Sequence, residues 1–161
     1  MNKFEKVSKK QYDLDAWGGK HMADYDEIKL PHRATKCSAG YDIYATIGFE
    51  LPPGESIKFP TGIKVSLDEN KFLMIVPRSG LGFKYRAQLD NTVGIIDADY
   101  YNNSNNEGHI WVKITNDSKR GDTLVVNKGD AIAQGIILEY FKTDDDDADG
   151  VRNGGLGSTS K

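Results

Sequence analysis

Most of this 161-residue chain alternates apolar and polar residues with a period of two, which is the pattern of half-buried β-strands. Alternating runs occur at 57–67, 110–115 and 132–140, and a continuous apolar strand at 72–76. Turn sequences separate the runs at 51–54, 60–62, 68–70, 119–122 and 127–130. Many short strands at roughly ten-residue spacing predict an all-β fold, a jelly-roll-like antiparallel β-barrel.

The expected helical content is small, because only two stretches depart from the strand pattern. One short internal helix is predicted around Leu81–Gln88, and residues 1–25 show no strand pattern. We expect residues 1–25 to form an N-terminal extension with at most a small helix, built on its apolar residues Phe4, Val7, Tyr12 and Leu14.

The C-terminal residues 144–161 differ in composition from the β-core predicted at 26–143. Asp144–Gly150 is acidic and polar, which is typical of a solvated hinge. Arg152–Thr159 holds three glycines, two hydroxyls and one guanidinium, a composition that suits a flexible arm ordering over an anion. The alternative is a frayed terminus without a function.

Charge and cysteine content narrow the class of protein. The formal net charge of −3 offers no basic excess for a nucleic-acid backbone, so direct nucleic-acid binding is not expected. Cys37 is the only cysteine, which excludes an internal disulfide and suits a reducing cytoplasm. Because no apolar run reaches ~18 residues and the N-terminus does not resemble a signal peptide, we expect a cytoplasmic protein without membrane contact.

Two of four glycine-marked polar patches suggest anion chemistry. Ser38–Ala45 places Asp42 in an apolar strand, where a charge is costly unless it meets a metal, a cation or water; a turn or cap role is the alternative. Pro77–Gly82 follows the apolar strand 72–76 with an arginine, a hydroxyl and glycines before a helix. Backbone N–H groups, a hydroxyl and a guanidinium together are typical of phosphate binding.

The other two patches suggest a carboxylate that acts as a general base and an amide that needs hydrogen-bond partners. Asn91–Tyr101 is interpreted as a hydrophobic hairpin arm that ends in the carboxylates Asp97 and Asp99 and two tyrosines. A carboxylate at such a position can hold a water and take its proton; the alternative is that the aspartates only form a turn. Gly129–Gln134 places the amide of Gln134 in an apolar strand, where it must find partners.

Taken together and in this order, the patches resemble the five motifs of the trimeric dUTPases, of the type found in Gram-positive bacteria and their phages. The resemblance covers about residues 28–161, and five short motifs in order are specific. The matching segments are Ala39-Gly40-Tyr41-Asp42-Ile43, Pro77-Arg78-Ser79-Gly80-Leu81, Gly94–Tyr100, Gly129–Gln134 and Arg152–Thr159.

The resemblance implies hydrolysis of dUTP to dUMP and pyrophosphate with Mg²⁺, which limits uracil incorporation into DNA and supplies dUMP for dTTP synthesis. It also implies a homotrimer of jelly-roll subunits, whose three active sites are shared between subunits. The arm at 144–161 would close the active site of a neighbouring subunit.

The same resemblance assigns roles to residues. Asp97 matches the catalytic carboxylate that deprotonates the water attacking the α-phosphorus, and Asp42 matches an outer-shell partner of Mg²⁺, acting through water. Uracil would be read by Asn91 and by the main chain of Gly94, Ile95 and Ile96, and Tyr100 would lie under the deoxyribose. Phosphates would be bound by Arg78, Ser79, Gly80 and Gln134, and the γ-phosphate by Arg152, Ser158 and Thr159 of the arm. The arm residues Leu156 and Gly157 would also contact the substrate.

Three features depart from the family pattern. Leu156 stands where the family usually has the phenylalanine that stacks on uracil. The spacing from Arg152 to the following glycine pair is one residue shorter than in the commonest form. The loop Asn102–Gly108 lengthens the chain after Tyr101, and this loop and the segment before Asp24 are interpreted as surface additions or, alternatively, partner surfaces.

Two other functions fit parts of the pattern. A dCTP deaminase of the same fold would need cytosine-reading groups and a catalytic carboxylate in a different arrangement from Asn91 and Asp97. A regulatory module that binds a protein partner would retain the nucleotide pocket without needing catalysis, and partner binding would also be compatible with an active enzyme. Pyrophosphate release, ammonia release or neither would distinguish the three.

Overall fold

The structure, a computed structural model, describes residues 1–16 and 22–152. These residues form eleven β-strands and two short α-helices. The strands are β1 Lys3–Lys6, β2 Tyr41–Tyr44, β3 Phe49–Leu51, β4 Ser56–Pro60, β5 Ile63–Ser66, β6 Lys71–Pro77, β7 Ala87–Leu89, β8 Gly94–Asp97, β9 Trp111–Asn116, β10 Leu124–Val126 and β11 Ala131–Glu139. The helices are α1 Lys9–Asp15 and α2 Ser79–Tyr85.

All strand pairs are antiparallel, as the period-two alternation predicts. A four-stranded sheet has the order β2-β11-β6-β8, and a three-stranded sheet has the order β4-β9-β7. Two ribbons, β1-β5 and β10-β3, complete the barrel. The all-β, jelly-roll-like fold predicted from the sequence is confirmed.

The hydrophobic core lies between the sheets and is built from the inward residue of each alternating pair. Ile43, Leu73 and Ile132 of the four-stranded sheet are fully buried, as is Ile114 of the opposite sheet, and Phe59 is 1% exposed. Each fully buried side chain of this size stabilises the fold by about 1.5–3 kcal/mol relative to leaving it in water. This rigid core holds the ends of β6 and β8, where the predicted site residues lie.

The internal helix lies earlier in the chain than predicted. α2 spans Ser79–Tyr85 instead of Leu81–Gln88, and Gln88 belongs to strand β7. The helix ends because Arg86 adopts the left-handed conformation with φ 50°, which an α-helix cannot continue. The apolar pair Ala87 and Leu89 then alternates into the core, a strand too short to recognise against the helical pattern before it.

The N-terminal segment contains the small helix expected from its apolar residues, but the absence of a strand was predicted wrongly. β1 pairs with β5, and Phe4 of β1 packs in the core. Tyr12 of α1 is buried, and its hydroxyl donates to the Ala23 carbonyl at 2.9 Å. β1 carries only one inward apolar residue among lysines and a glutamate, so period two was not visible in the sequence.

Beyond β11 the chain leaves the barrel. Every residue from 141 to 150 is exposed, in agreement with the solvated character predicted for this acidic run. Within the described ranges, neither α-helix is long or apolar enough to cross a membrane.

Candidate active site

The first polar cluster forms where strand β8 ends. Asp97 is the last residue of β8, and a 3₁₀ turn over Ala98–Tyr100 follows directly. The side chains of Asp97 and Asp99 are 48% and 56% exposed, and their carboxylates share one guanidinium. Arg152 Nη2 lies 2.5 Å from Asp97 Oδ2, and its Nε lies 2.7 Å from Asp99 Oδ1. We call Asp97, Asp99, Tyr100 and Arg152 the carboxylate cluster.

Tyr100 forms the buried floor of the carboxylate cluster. Its ring is largely buried, and the Arg152 guanidinium lies 6.0 Å from the ring centroid. The Tyr100 hydroxyl donates to the His109 carbonyl at 3.0 Å and accepts from the Asn106 amide at 2.8 Å. Burial raises the pKa of Tyr100, so the hydroxyl stays protonated at neutral pH.

A cavity of about 100 Å³ lies beside the carboxylate cluster, between the two sheets. Its wall includes every residue predicted to bind uracil, namely Asn91, Gly94, Ile95 and Ile96. The rest of the wall is formed by Tyr100, Ile75, Leu89, Trp111, Val112 and Lys113. At position 94 a Cβ would lie 3.2 Å from the Ile75 Cβ, so glycine lets β8 pack closely on β6. Sequence reasoning did not identify Trp111 and Lys113, because they belong to an ordinary alternating strand.

The segment Asn91–Tyr101 is not the arm of a paired hairpin that the sequence predicted, and the turn at 90–93 that precedes β8 instead crosses between the two sheets. β7 pairs with β9, whereas β8 pairs with β6, so the two flanking strands belong to different sheets. Thr92 has φ 65°, and its N–H donates to the Leu89 carbonyl at 2.8 Å, which tightens the crossing. The crossing opens the cavity between the sheets, which a paired hairpin would have closed.

The second polar cluster lies at the other end of the same sheet. Arg78 follows strand β6, and its Nε lies 3.1 Å from Asp42 Oδ1 on β2. Its Nη1 donates to the Ala131 carbonyl at 3.3 Å. Asp42 therefore lies within strand β2 and not in a turn. Its cation partner Arg78 offsets the cost of placing a charge in an apolar strand. We call Asp42, Arg78 and Gln134 the guanidinium cluster.

Gln134 is held in the guanidinium cluster by a hydrogen bond, and Gly40 and Gly80 lie beside the cluster. The Gln134 amide donates to the Pro77 carbonyl at 3.2 Å, so it finds the partner that an amide in an apolar strand needs. A Cβ at Gly40 would lie 2.3 Å from Gln134 Oε1, so the glycine makes room for this side chain. Ser79 and Gly80 begin α2 and are exposed, with open space beside Gly80.

One chain does not bring the two clusters together. Asp97 pairs with Phe72 at the start of β6, whereas Gln134 pairs with Val76 and with Asp42. Phe72 and Val76 are four residues apart on β6, which corresponds to ~13 Å along the strand. The predicted catalytic carboxylate and the predicted phosphate-binding residues of a single chain therefore lie at opposite ends of the sheet.

Both clusters nevertheless lie on the outer face of the four-stranded sheet. Alternate residues of a strand share a face, and Asp97 and Gln134 are in register with Phe72 and Val76, whose side chains point away from the core. Between the clusters this outer face is apolar, with Ile95 50% exposed and Leu138 37% exposed. The apolar strip comprises Phe72, Met74, Val76, Ile95, Ile136 and Leu138.

The sequence did not indicate a buried histidine network behind the carboxylate cluster. His109 is fully buried; its Nε2 accepts from the Gly62 N–H at 2.8 Å, and its Nδ1 lies 2.6 Å from Asp15 Oδ2. Because Nε2 accepts, Nδ1 carries the proton that Asp15 binds. Burial lowers the pKa of His109, against the opposing effect of Asp15, and this favours the neutral ring. A lone histidine in a strand pattern gave no signal of this arrangement.

The described residues contain no group of three or more His, Cys, Asp or Glu side chains able to hold a metal ion by themselves. Asp42 is the predicted metal partner, and its side chain is 19% exposed at the mouth of the guanidinium cluster. Of the predicted arm residues, Arg152 reaches the carboxylate cluster. Leu156, Gly157, Ser158 and Thr159 lie outside the described residues.

Comparison with known proteins identifies the family to which this chain belongs. A protein-family model for dUTPase matches residues 26–160. The deoxyuridine 5'-triphosphate nucleotidohydrolase of Lactococcus lactis is 38% identical over 134 residues, which are 82% of this chain and 88% of that protein.

Solved structures agree with the sequence matches. The dUTPase from Streptococcus mutans aligns with a TM-score of 0.69 at 33% identity, over 88% of this chain and 98% of that one. A mutant dUTPase from phage phi11 of S. aureus, described with a coordinated structural Mg(II) ion, shares the fold with a TM-score of 0.64 at 21% identity, over 93% and 97% of the two chains. By its sequence and by its fold, this chain belongs to the dUTPase family.

Proposed function

We propose that this dUTPase hydrolyses dUTP to dUMP and pyrophosphate in a homotrimer, at sites that join the carboxylate cluster of one subunit to the guanidinium cluster of a neighbour. The proposal rests on the separation of the two clusters by ~13 Å along β6. The catalytic carboxylate and the phosphate-binding residues must contact the same substrate molecule. A second copy of the chain therefore has to supply one of the two clusters.

The apolar strip on the outer face supports association through this sheet. Ile95 lies opposite Met74, which lies opposite Ile136, so the strip runs across β8, β6 and β11 without a polar interruption. An exposed apolar surface of this kind is typical of a protein–protein interface. A symmetric trimer that buries the strip would bring each carboxylate cluster towards a neighbour's guanidinium cluster, since the clusters flank the strip.

Within such a site, Asp97 is the proposed general base. Its carboxylate would accept a proton from a water whose oxygen attacks the α-phosphorus. The bond from that phosphorus to the bridging oxygen of the β-phosphate breaks, and the pyrophosphate leaves with the bonding electron pair. Asn91 and the main chain of Gly94, Ile95 and Ile96 would bind uracil in the cavity, with Tyr100 under the deoxyribose.

Arg78, Ser79, Gly80 and Gln134 are the proposed phosphate-binding residues. The side chain of Arg78 is 43% exposed, so its guanidinium can offer donors to an anion while Nε stays beside Asp42. The C-terminal arm is proposed to close a neighbouring site, with Leu156, Gly157, Ser158 and Thr159 over the nucleotide. Arg152 would exchange its two carboxylate partners for the γ-phosphate, a stronger anion.

The residues of the guanidinium cluster fit a Mg²⁺ ion that is bound mainly by substrate. Mg²⁺ usually retains several waters and takes one or two carboxylates together with phosphate oxygens. Asp42 is one partly accessible carboxylate beside the proposed phosphate site, which is what an outer-shell partner requires. When bound, the ion would neutralise triphosphate charge and orient the α-phosphate.

The deaminase alternative is not favoured, because the matching family model and the relatives named above are dUTPases. A dUTP-hydrolysing enzyme with one cysteine, Cys37, which is exposed and free, is expected in the bacterial cytoplasm, where deoxynucleotides are made and used. A regulatory protein partner remains a separate hypothesis for which the described residues give no specific surface.

Replacing Asp97 with asparagine tests the proposed base. Asp97→Asn should lower kcat for dUTP ~10²–10⁴-fold while binding is kept, because the amide preserves shape but cannot accept the proton. Pyrophosphate release gives kcat, and calorimetric titration with a non-hydrolysable dUTP analogue gives binding. Asp99→Asn is the matched control, since it removes the other carboxylate partner of Arg152.

Asp99→Asn should retain most of the activity. A kcat for Asp97→Asn within about threefold of the unmodified enzyme would place the base elsewhere, because general-base catalysis contributes far more than that.

A further inference from the structure

The loop after Tyr101 is not a simple surface addition. Asn103 is only 8% exposed, and Gly108 packs against the main chain of Tyr100 so closely that a Cβ there would lie 2.6 Å from the Tyr100 carbonyl oxygen. Gly108 has φ 79°, a conformation that glycine adopts without strain. The loop therefore folds back onto the residue that is proposed to lie under the deoxyribose.

Asn106 of this loop contacts Tyr100 directly. Its Nδ2 donates to the Tyr100 hydroxyl at 2.8 Å, and that hydroxyl donates to the His109 carbonyl at 3.0 Å. The ring of Tyr100 is thus fixed at its far end by one donor and one acceptor. A tyrosine that lacked these partners would keep its buried ring but would be free to tilt about its Cβ.

The Asn106 side chain is itself held from both sides. Its Oδ1 accepts from Asn103 Nδ2 at 2.9 Å and from the Gly108 N–H at 3.1 Å. Asn103 Oδ1 in turn accepts the backbone N–H groups of Asn105 and Asn106 at 3.0 and 3.1 Å. Every polar atom of the two amides has a partner, so the network has one orientation.

The N-terminal segment fixes the loop in space. Glu107 accepts from the Ser8 N–H at 2.9 Å and from its hydroxyl at 2.6 Å, and lies 3.3 Å from Lys64 Nζ. Lys64 also donates to Asn102 at 2.6 Å, and the Tyr101 hydroxyl donates to Glu5. The loop and the segment before Asp24, which the sequence suggested were surface additions or partner surfaces, are joined by these contacts into one structural unit.

We propose that Asn106 is a positioning residue for substrate specificity, which holds the Tyr100 ring at the distance that admits a 2′-deoxyribose and rejects a ribose. The inference rests on the proposed role of Tyr100 and extends it to a residue that the family motifs do not include. A ring fixed at its hydroxyl cannot yield to an added 2′-oxygen, whereas a ring that tilts can. Discrimination between dUTP and UTP therefore depends on Asn106.

The test is the ratio of kcat/KM for dUTP to kcat/KM for UTP, measured by pyrophosphate release. Asn106→Ala should lower this ratio about fivefold, the effect of losing one hydrogen bond. Tyr100→Phe, which removes the hydroxyl but leaves the loop network in place, should lower it by a similar factor. The double variant should resemble Tyr100→Phe alone, because Asn106 acts through that hydroxyl.

Two controls separate positioning from folding. Asn105→Ala changes an exposed neighbour that joins the network only through its backbone N–H, and its ratio should be unchanged. A loss of folded enzyme would lower activity on both nucleotides equally and leave the ratio constant. If Asn106→Ala folds poorly, Tyr100→Phe still decides the question.

The inference is overturned if the ratio is unchanged in Asn106→Ala or Tyr100→Phe, or if their effects multiply in the double variant. Tyr100→Ala distinguishes this failure from that of the role proposed for Tyr100. A ratio that falls in Tyr100→Ala but not in Asn106→Ala rejects only the positioning by Asn106. A ratio unchanged in Tyr100→Ala rejects both.

Discussion

The carboxylate cluster and the guanidinium cluster differ in charge and in what holds them. In the first, two exposed carboxylates are bridged by an arginine from the C-terminal arm, far along the chain from β8. In the second, Asp42 lies on β2, Arg78 directly follows β6, and Gln134 lies on β11, the strand between them. The guanidinium cluster is therefore built into the sheet, whereas the carboxylate cluster is completed by Arg152 of the C-terminal arm, which we propose that substrate displaces.

This difference indicates that the two clusters contribute to different steps, one to substrate binding and the other to proton transfer. A built-in guanidinium is suited to binding a triphosphate with little rearrangement, and an exposed carboxylate is suited to proton transfer once its cation has left. We therefore expect changes in the guanidinium cluster to affect KM first and changes at Asp97 to affect kcat first.

The largest effect expected in the guanidinium cluster is that of Arg78→Ala. Loss of charge-assisted hydrogen bonds should raise KM for dUTP roughly 10- to 100-fold, with a smaller change in kcat. Steady-state pyrophosphate release measures both constants. Arg120→Ala, which removes another exposed arginine between β9 and β10, is the control and should behave as the unmodified enzyme. A fall in kcat with KM unchanged would reverse the assignment of the two clusters.

A smaller effect is expected from Gly40→Ala. The new Cβ would lie 2.3 Å from Gln134 Oε1, so the glutamine must rotate and leave the Pro77 carbonyl. Because a neutral hydrogen bond contributes less than a charged one, KM should rise about fivefold or less.

Gly48→Ala is the matched control, since its Cβ would meet only ordinary contacts at 3.5 Å. A rise in KM for Gly40→Ala as large as that for Arg78→Ala would show that Gln134, and not Arg78, dominates phosphate binding.

Strands with one face on the core and one face in solvent were predictable from the sequence, because apolar and polar residues alternate wherever a strand carries several inward apolar residues. The run 72–76 is the informative exception, since it is apolar on both faces. Inward Leu73 and Ile75 fill the core, and outward Phe72, Met74 and Val76 form part of the apolar strip. A strand that is apolar on both faces indicates a second covering layer, here proposed to be another subunit.

What the sequence did not reveal depends on long-range contacts. Strand β1 has too few apolar residues for a period, and the separation of β7 from β8 is decided by pairing with β9 and β6. In the site, local patches suggested a carboxylate that accepts a proton, phosphate binding around Arg78 and a constrained amide at Gln134, whereas the choice of Asp97 and the identity of the substrate came from the family resemblance. The contact of Asn106 with Tyr100 lies in an asparagine-rich loop without periodicity, so only the folded structure reveals it.

Hybrid complementation tests most directly whether each site is shared between subunits. Asp97→Asn and Arg78→Ala subunits carrying different tags are co-expressed, and mixed trimers are purified by both tags and checked by native mass spectrometry. In a cyclic trimer that contains both variants, one site in roughly three pairs an intact carboxylate cluster with a neighbour's intact guanidinium cluster. With dUTP kept well below KM, we predict that the mixed trimers recover about a third of the unmodified activity, while each variant alone keeps about a tenth or less. Verified mixed trimers with no more activity than the separate variants would contradict a shared site.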